Sequence, residues 1–253
     1  MTRSGQTANL AWATATDNRA VTGYAVYRTA APGDPLTNSA QVGTATGRTF
    51  AEPGVPEGTW SYRVVAHDAA GNTGPPSAAV SVTMPRPPVI LTLTPTADTY
   101  VNSAMRTTNF GTSTTMIADS SPLQIAYLRF DLPSVPAGQE LAGAELRLRT
   151  TASSAASSGS SHTIVTAGDD WTETGVIWDT RPTLGTTVLG TVPAGAAVNT
   201  SSTIPLDVGR FRGLLGRRTT LAVSPDGDDS ILLVSREGAT SGRPQLVLSF
   251  TAG

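Results

Sequence analysis

Six arginine residues are candidates for binding an anionic ligand. A guanidinium group binds a carboxylate through two parallel hydrogen bonds, so arginine is the residue type expected to recognise a ligand that carries carboxylate groups. Arg129, Arg147 and Arg149 alternate with apolar residues on predicted strands, and we expect them to share one solvent-facing sheet surface. The alternative is a solvated sheet face on which they pair with acids such as Glu145. The six candidates are Arg106, Arg129, Arg147, Arg149, Arg181 and Arg236.

Aromatic side chains offer a second means of binding a ligand, because the face of an exposed ring can stack on an apolar ligand surface such as the C–H face of a pyranose. Tyr100, Phe110 and Trp178 are the candidates for such a surface. Trp171 and Trp178 belong to one motif, WTETGVIW, in which apolar residues adjoin the second tryptophan. Core packing is the alternative role of this motif, and its apolar neighbours favour that role.

Hard oxygen ligands for Ca²⁺ recur around the motifs ADTYV, NFG and YLRFDL. Asp98 is predicted just before a strand, Asn109 in a turn and Asp131 at the end of a strand, so their oxygens could converge on one ion with backbone carbonyls. Turn capping or a surface salt bridge is the alternative for each of these side chains. DGDD (226–229) is interpreted as a hairpin turn rather than a metal site.

Several enzyme classes lack their residues in this chain. There is no lysine for a phosphate-binding loop or a Schiff base and no cysteine for a thiolate nucleophile. His67 and His162 are predicted in different domains, and the acids form no convincing pair for glycoside hydrolysis. We expect Glu173 to cap or to form a salt bridge, and we predict no catalytic residue.

Composition indicates an all-β protein. Apolar residues make up 39% of the 253 residues and charged residues only 14%, with 25 glycines and 18 prolines for turns. The formal net charge is −2 and basic residues do not cluster, which argues against a nucleic-acid partner. No apolar run approaches the roughly 20 residues of a membrane span, so we expect no membrane partner.

The first 84 residues contain short alternating stretches, TANLAW, VTGYAVYR and TWSYRVVA, separated by turn residues such as TATDNRA (14–20). LAWATATDNRAVTGYAVYR, VPEGTWSYRVVAHDAAGN and SAAVSVT resemble a fibronectin type III domain. The resemblance implies a β-sandwich in which Trp12 and Tyr24 lie on the second and third strands and Asp68–Asn72 form a turn. It departs from the family in a truncated first strand and in Trp60, which replaces a corner tyrosine and removes its hydrogen bond.

From Val89 onward about ten predicted strands follow one another, with one short helix at 207–215 and a Ser-rich segment (150–161) expected to be a flexible loop. In YLRFDL, Leu128 and Phe130 are predicted to point inward, and Tyr127, Arg129 and Asp131 outward. This pattern predicts a β-jelly-roll.

Eight ordered motifs in this half resemble the DNRLRE-type domain, classified as carbohydrate-binding module family 96. They are TADTYV, TNFGTSTTM, AYLRFDLPS, LAGAELRLR, DDWTETGVIWDTRP, IPLDV, VSREG and RPQLVLSF. The resemblance implies a non-catalytic β-jelly-roll of secreted bacterial proteins, an acidic polysaccharide such as alginate as ligand, and by analogy a structural Ca²⁺ ion.

We therefore predict a fibronectin type III β-sandwich (1–84), a Pro-rich linker (85–88) and a jelly-roll carbohydrate-binding module (89–253). The chain is expected to be a monomeric, extracellular, polysaccharide-binding fragment covalently linked to catalytic or surface domains. No signal peptide follows Met1, so an exported protein would contain this chain as an internal fragment. The alternative hypothesis is a structural pair of β-domains in an adhesion protein.

Overall fold

Nearly all regular structure in the chain is β-strand, as the alternating sequence predicts. The computed structural model describes residues 1–16 and 20–253, so part of the predicted turn TATDNRA lies outside the described residues. The chain divides into two compact units, Met1–Pro87 and Pro88–Thr251, and the boundary between them falls in the Pro-rich stretch 84–88. No helix of the described residues is long and apolar enough to cross a membrane.

The first unit consists of two antiparallel sheets. One has the order β1-β2-β5 and the other β4-β3-β6-β7. Tyr24, Val26 and Tyr62 lie in the core of the unit. The strands are β1 (Thr2–Ser4), β2 (Thr7–Ala11), β3 (Gly23–Thr29), β4 (Gln41–Ala45), β5 (Thr49–Glu52), β6 (Gly58–His67) and β7 (Val80–Met84), with a 3₁₀ turn at Asn38–Ala40.

Trp60 lacks the hydroxyl bond of a corner tyrosine, as expected, but it makes a different hydrogen bond in its place. Its indole N–H donates to the Pro56 carbonyl at 2.9 Å. Two residues later, the Tyr62 hydroxyl donates to Glu52 Oε2 at 2.6 Å. Burial and the Glu52 carboxylate together raise the pKa of Tyr62.

The second unit is a β-sandwich of a seven-stranded and a four-stranded sheet. The large sheet has the order β14-β13-β16-β11-β10-β17, with β9 also paired to β11, and the small one β15-β12-β18-β8. The strands are β8 (Val89–Leu93), β9 (Ala97–Asn102), β10 (Thr115–Ser120), β11 (Leu123–Asp131), β12 (Gln139–Arg149), β13 (His162–Ala167), β14 (Leu184–Val192), β15 (Ser201–Pro205), β16 (Arg218–Pro225), β17 (Ile231–Val234) and β18 (Gln245–Ala252).

Two predicted local features of this unit were wrong. Asp98 lies inside β9 rather than before a strand. DGDD (226–229) joins β16 to β17, but β17 pairs with β10, so this turn does not close a hairpin. In both places long-range strand pairing, which a local pattern does not contain, decides the structure.

The predicted helix is confirmed as a short one. It runs as α1 (Val208–Phe211) into a 3₁₀ turn (Arg212–Leu214), and Asp207 caps it by accepting from the Arg210 N–H at 3.0 Å. The Ser-rich segment 150–161 is a loop, but Ala156 and Ser158 in it are buried. Ser158 N–H donates to the Ala196 carbonyl at 2.9 Å, which anchors the segment.

The outer face of β11 is covered at Tyr127 and Arg129, which overturns the predicted polar face there, whereas Asp131 at the end of the strand is exposed as predicted. Leu128 and Phe130 point into the core between the two sheets, as predicted. Tyr127, on the opposite face, is also fully buried. The reason is residues 168–183, the connection from β13 to β14, which lie across the outer face of the large sheet and which we call the strap.

Candidate functional site

The strap is attached to the sheet by its aromatic and apolar residues. Trp171, Val176 and Trp178 pack with Tyr127 in a second apolar cluster. The Trp171 indole N–H donates to Thr220 Oγ1 at 2.9 Å. The core-packing alternative for WTETGVIW is therefore the observed one, and Trp178, in the 3₁₀ turn Trp178–Thr180, is not an exposed sugar platform.

Tyr100 and Phe110 do not form an exposed platform either. Their rings stack on each other with centroids 4.2 Å apart and an interplanar angle of 23°. Tyr100 is buried, and Phe110 packs against the main core. Burial raises the pKa of the Tyr100 hydroxyl. Throughout residues 1–16 and 20–253 every aromatic side chain is buried or half-buried, so none is a fully exposed platform.

The predicted arginine face is divided between the two sheets. Arg129 lies on β11 of the large sheet, whereas Arg147 and Arg149 lie on β12 of the small one. The strap covers Arg129, whose guanidinium group donates to the Trp171 carbonyl at 2.6 Å and lies 4.7 Å from the Trp171 ring centroid. Arg129 therefore holds the strap and is not on a shared binding face.

Three other predicted arginines also have structural partners. Arg181 lies 3.9 Å from the Trp178 ring centroid and donates to the Trp178 carbonyl at 2.7 Å. Arg106 forms an ion pair with Asp179 of the strap. Arg236 donates to both carboxylate oxygens of Glu173, each at 3.1 Å. The Arg106 and Arg236 contacts attach the strap to neighbouring segments, whereas the Arg181 contact lies within the strap.

The predicted calcium set does not come together. The Asn109 side-chain amide donates to the carbonyls of Glu173 and Val176, at 2.8 and 2.6 Å, and so supports the strap. Asp131 is exposed and pairs with Arg218 at 3.3 Å. Only Asp98 lies in a group of potential ligands, because its neighbours come from the strap and from the β17–β18 connection.

Asp98, Glu173 and Glu237 form that group, with carboxylate oxygens within 4.8 Å of one another. Asp98 is 1% exposed, and its Oδ2 accepts from the Arg236 backbone N–H at 2.7 Å. Burial raises the pKa of Asp98 to about 8. Glu237 Oε2 is buried and no N–H group of the described residues donates to it, while the Asp98 carboxyl group lies within hydrogen-bonding reach of Glu237. Glu173 and Glu237 both pair with the Arg236 guanidinium group, whereas Asp98 accepts from the backbone N–H of the same residue. Three clustered carboxyl groups are the donor type that a divalent cation such as Ca²⁺ prefers.

A polar groove lies on the outer face of the small sheet. Arg147 and Arg149 of β12 stand opposite Thr203 and Ser201 of β15. Arg243, just before β18, completes the basic lining of a cavity of about 220 Å³. Sequence reasoning missed Arg243, because only the pairing of β12 with β18 brings it near the other two.

Arg149 is held in place by neutral acceptors. Its guanidinium group donates to Ser201 Oγ at 3.1 Å and to Asn199 Oδ1 at 2.8 Å. It also lines a neighbouring cavity of about 390 Å³, together with Thr150 and Glu237. Arg147 differs, since it pairs with Glu145 at 3.4 Å, the alternative foreseen for this face.

His162 has no serine partner that would suggest a nucleophile. It is fully buried, and neither ring nitrogen has a hydrogen-bond partner among the described residues. The nearby Ser158 hydroxyl donates to backbone carbonyls of Ser160 and Asp229 instead. Burial lowers the pKa of His162, because it disfavours the charged imidazole.

Parts of the chain are similar in sequence to parts of known bacterial glycosidases. The chain is 43% identical over 77 residues to Exoglucanase B of Cellulomonas fimi, covering 30% of this chain and 6% of that protein. It is 40% identical over 111 residues to Chitinase A1 of Niallia circulans, covering 42% and 14%. The solved chitinase ChiA74 from Bacillus thuringiensis aligns over 91% of this chain and 27% of that one, at 13% identity and a TM-score of 0.27.

The chain thus spans only a small part of the curated relatives that it matches. A family model covers the second unit almost completely, from residue 89 to residue 250. The strap, its tryptophans and the groove all lie inside this match. The chain belongs to carbohydrate-binding module family 96.

Proposed function

We propose that the second unit binds an acidic, uronate-containing polysaccharide such as alginate and has no catalytic function of its own. The observation that carries this proposal is a set of guanidinium groups that the protein leaves without a carboxylate or an aromatic partner. Within the described part of the second unit, Arg149 and Arg243 are such groups and line one cavity, whereas Arg217 is a third that lies outside this cavity and is not part of the proposed site. An anionic sugar supplies the carboxylate that such groups lack.

Polar recognition also suits the distribution of aromatic residues. A module for flat neutral glycans needs an exposed ring, and Trp171 and Trp178 are both 7% exposed. Discrimination would come from hydrogen bonds between guanidinium and carboxylate groups, which reject a neutral sugar by leaving charged donors unpaired.

Titration calorimetry of the full chain against alginate oligosaccharides and neutral oligosaccharides of equal length tests the proposal. Saturable binding of the uronates alone supports it. Equal binding of neutral and acidic chains would contradict it.

The buried tryptophans favour a second candidate, a structural pair of β-domains in an adhesion protein. Under that hypothesis Arg149 and Arg243 are a solvated surface and no oligosaccharide binds. The same calorimetric panel separates the two functions.

We propose that the first unit is a fibronectin type III spacer. Its support is the resemblance of its sequence together with two sheets ordered β1-β2-β5 and β4-β3-β6-β7. In a secreted protein with an attached enzyme, the pair would raise the concentration of that enzyme at its polysaccharide.

We further propose that Asp98, Glu173 and Glu237 hold a Ca²⁺ ion. When bound, the ion supplies positive charge that ties three carboxylates together. Asp98 brings β9 to this point, Glu173 brings the strap, and Glu237 brings the β17–β18 connection. The buried Glu237 Oε2, to which no N–H group of the described residues donates, supports this assignment.

A further inference from the structure

We infer that the anionic sugar chain lies in the groove of the small sheet, with Arg149 and Arg243 as the residues that select for its charge and with Arg149 between two sugar subsites. This inference rests on the proposed function and specifies where and how it operates. The shared chemistry of the ligand is a sugar bearing an oxyanion, either a uronate carboxylate or a sulfate ester.

Arg149 and Arg243 carry positive charges that no carboxylate of the described residues neutralises. Most exposed arginines of the second unit have a carboxylate partner, for example Arg212 with Glu140 at 3.2 Å and Arg218 with Asp131 at 3.3 Å. Arg149 and Arg243 have none among the described residues, and both line the cavity of about 220 Å³. Two positive charges thus lie at one concave site, where an oxyanion would be attracted by both.

The guanidinium groups of Arg149 and Arg243 are both held in place before any ligand binds. Arg149 is fixed by Ser201 and Asn199, so its guanidinium group loses little rotamer freedom when it binds a ligand. A Cβ atom on Gly242 would lie 3.0 Å from Arg149 Cδ, so glycine at this position lets the arginine side chain lie against the 3₁₀ turn Thr240–Gly242. Arg243 Nε donates to the Gly238 carbonyl at 3.3 Å, which orients the second guanidinium group.

The cavity of about 220 Å³ is also lined by polar, uncharged residues. Ser201, Thr203 and Ser241 also line the cavity that contains both arginines, and each carries a hydroxyl group. Hydroxyls both donate and accept, and they match the hydroxyl groups of a sugar ring. The lining therefore offers charge for the oxyanion and neutral hydrogen-bonding groups for the ring that carries it.

The two neighbouring cavities together offer room for more than one sugar unit. Arg149 also lines the neighbouring cavity of about 390 Å³, where Thr150, Thr151 and Asn199 contribute polar groups. Glu237 lines this second cavity too, so its chemistry differs from that of the first. A chain that fills both cavities passes Arg149, whereas a single sugar fills only one. We expect oligosaccharides to bind more tightly than the monosaccharide.

The test is calorimetric titration of the full chain with an alginate tetrasaccharide, a sulfated tetrasaccharide, a neutral tetrasaccharide and a uronic acid monosaccharide. The variants are Arg149→Gln, Arg243→Gln and the double variant. Arg217→Gln is the matched control, because it removes the same charge from an exposed arginine without a carboxylate partner that does not line the groove. Melting curves verify that each variant is folded.

We expect each groove variant to bind the anionic tetrasaccharide about ten- to hundredfold more weakly, as for loss of a hydrogen bond to a charged group. Arg149→Lys should restore part of the loss and Arg217→Gln should bind as the wild type does. The two anionic probes decide between carboxylate and sulfate. Wild-type binding that groove variants leave unchanged would overturn the groove assignment alone. No binding of any probe by the wild type would overturn the proposed function, and with it the groove.

Discussion

Gly111 lies so close to Glu173 that a Cβ atom at position 111 would be 2.0 Å from the Glu173 carbonyl oxygen. The same carbonyl accepts from the Asn109 amide at 2.8 Å. The motif NFG therefore fits around the backbone of the strap. Asn109 supplies a hydrogen-bond donor before Phe110, and Gly111 after it has no side chain to collide with the strap. This explains the asparagine and the glycine of the motif by contacts rather than by metal or sugar binding.

Gly111→Ala should destabilise the second unit, because the new methyl group collides with backbone and the strap must shift. We expect the free energy of unfolding to fall by about 1–3 kcal/mol, as for other overpacked sites. Gly213→Ala is the control, since no atom lies within 4 Å of its Cβ position. Urea denaturation measures both variants, and equal stability of Gly111→Ala and the wild type would contradict the packing described.

Arg129→Leu tests whether Arg129 supports the strap or binds ligand. It removes the hydrogen bond to the Trp171 carbonyl and the contact with the Trp171 ring. We expect a loss of about 2–3 kcal/mol in unfolding free energy, within the range for charge-assisted hydrogen bonds and cation–π contacts. Titration of the folded variant should give unchanged affinity for an alginate oligosaccharide. A folded variant that no longer binds would return Arg129 to the ligand site.

Calcium should raise the melting temperature of the wild type and a chelator should reverse the effect. A ligand that binds only the folded state stabilises it by mass action. Asp98→Asn keeps the size of the side chain and the acceptor for the Arg236 N–H, but it removes one carboxylate from the cluster. Its melting temperature should no longer respond to calcium. If the wild type is equally insensitive, the proposed cation site is wrong.

His162 makes stability depend on pH. Its native pKa lies below the ordinary value of 6.5, so its contribution is fully present above about pH 6.5 and is lost as the pH falls through the native pKa. His162→Leu should therefore lose less stability than the wild type between about pH 7.5 and about pH 5 in urea denaturation. His67→Leu, in the first unit, is the control and should leave the pH response of the second unit unchanged.

Local pattern predicted the parts of the fold that local forces decide. Alternation placed Leu128 and Phe130 in the core, and the apolar spacing of 207–215 predicted its helix. Alternation also predicted that Tyr127 and Arg129 face solvent, which is wrong because the strap covers them. Period-two patterning gives the two faces of a strand but not what lies on each face.

The candidate site depended on strand order, which is not local. Arg129 and Arg147 have similar settings in sequence, yet they belong to different sheets. Asp98, Glu173 and Glu237 are distant in the chain and meet only after the strap and the β17–β18 connection pack. The expectation of aromatic stacking by Tyr100 and Phe110 was wrong, since both rings pack inward.

The central claim is that guanidinium charge, and not aromatic stacking, binds the polysaccharide. The most direct measurement is the affinity of the full chain for an alginate oligosaccharide as sodium chloride shortens the Debye length from roughly 10 Å at 0.1 M to roughly 3 Å at 1 M. We predict that binding weakens steeply over this range. An affinity that stays constant with salt, matched by equal binding of a neutral oligosaccharide, would contradict the account.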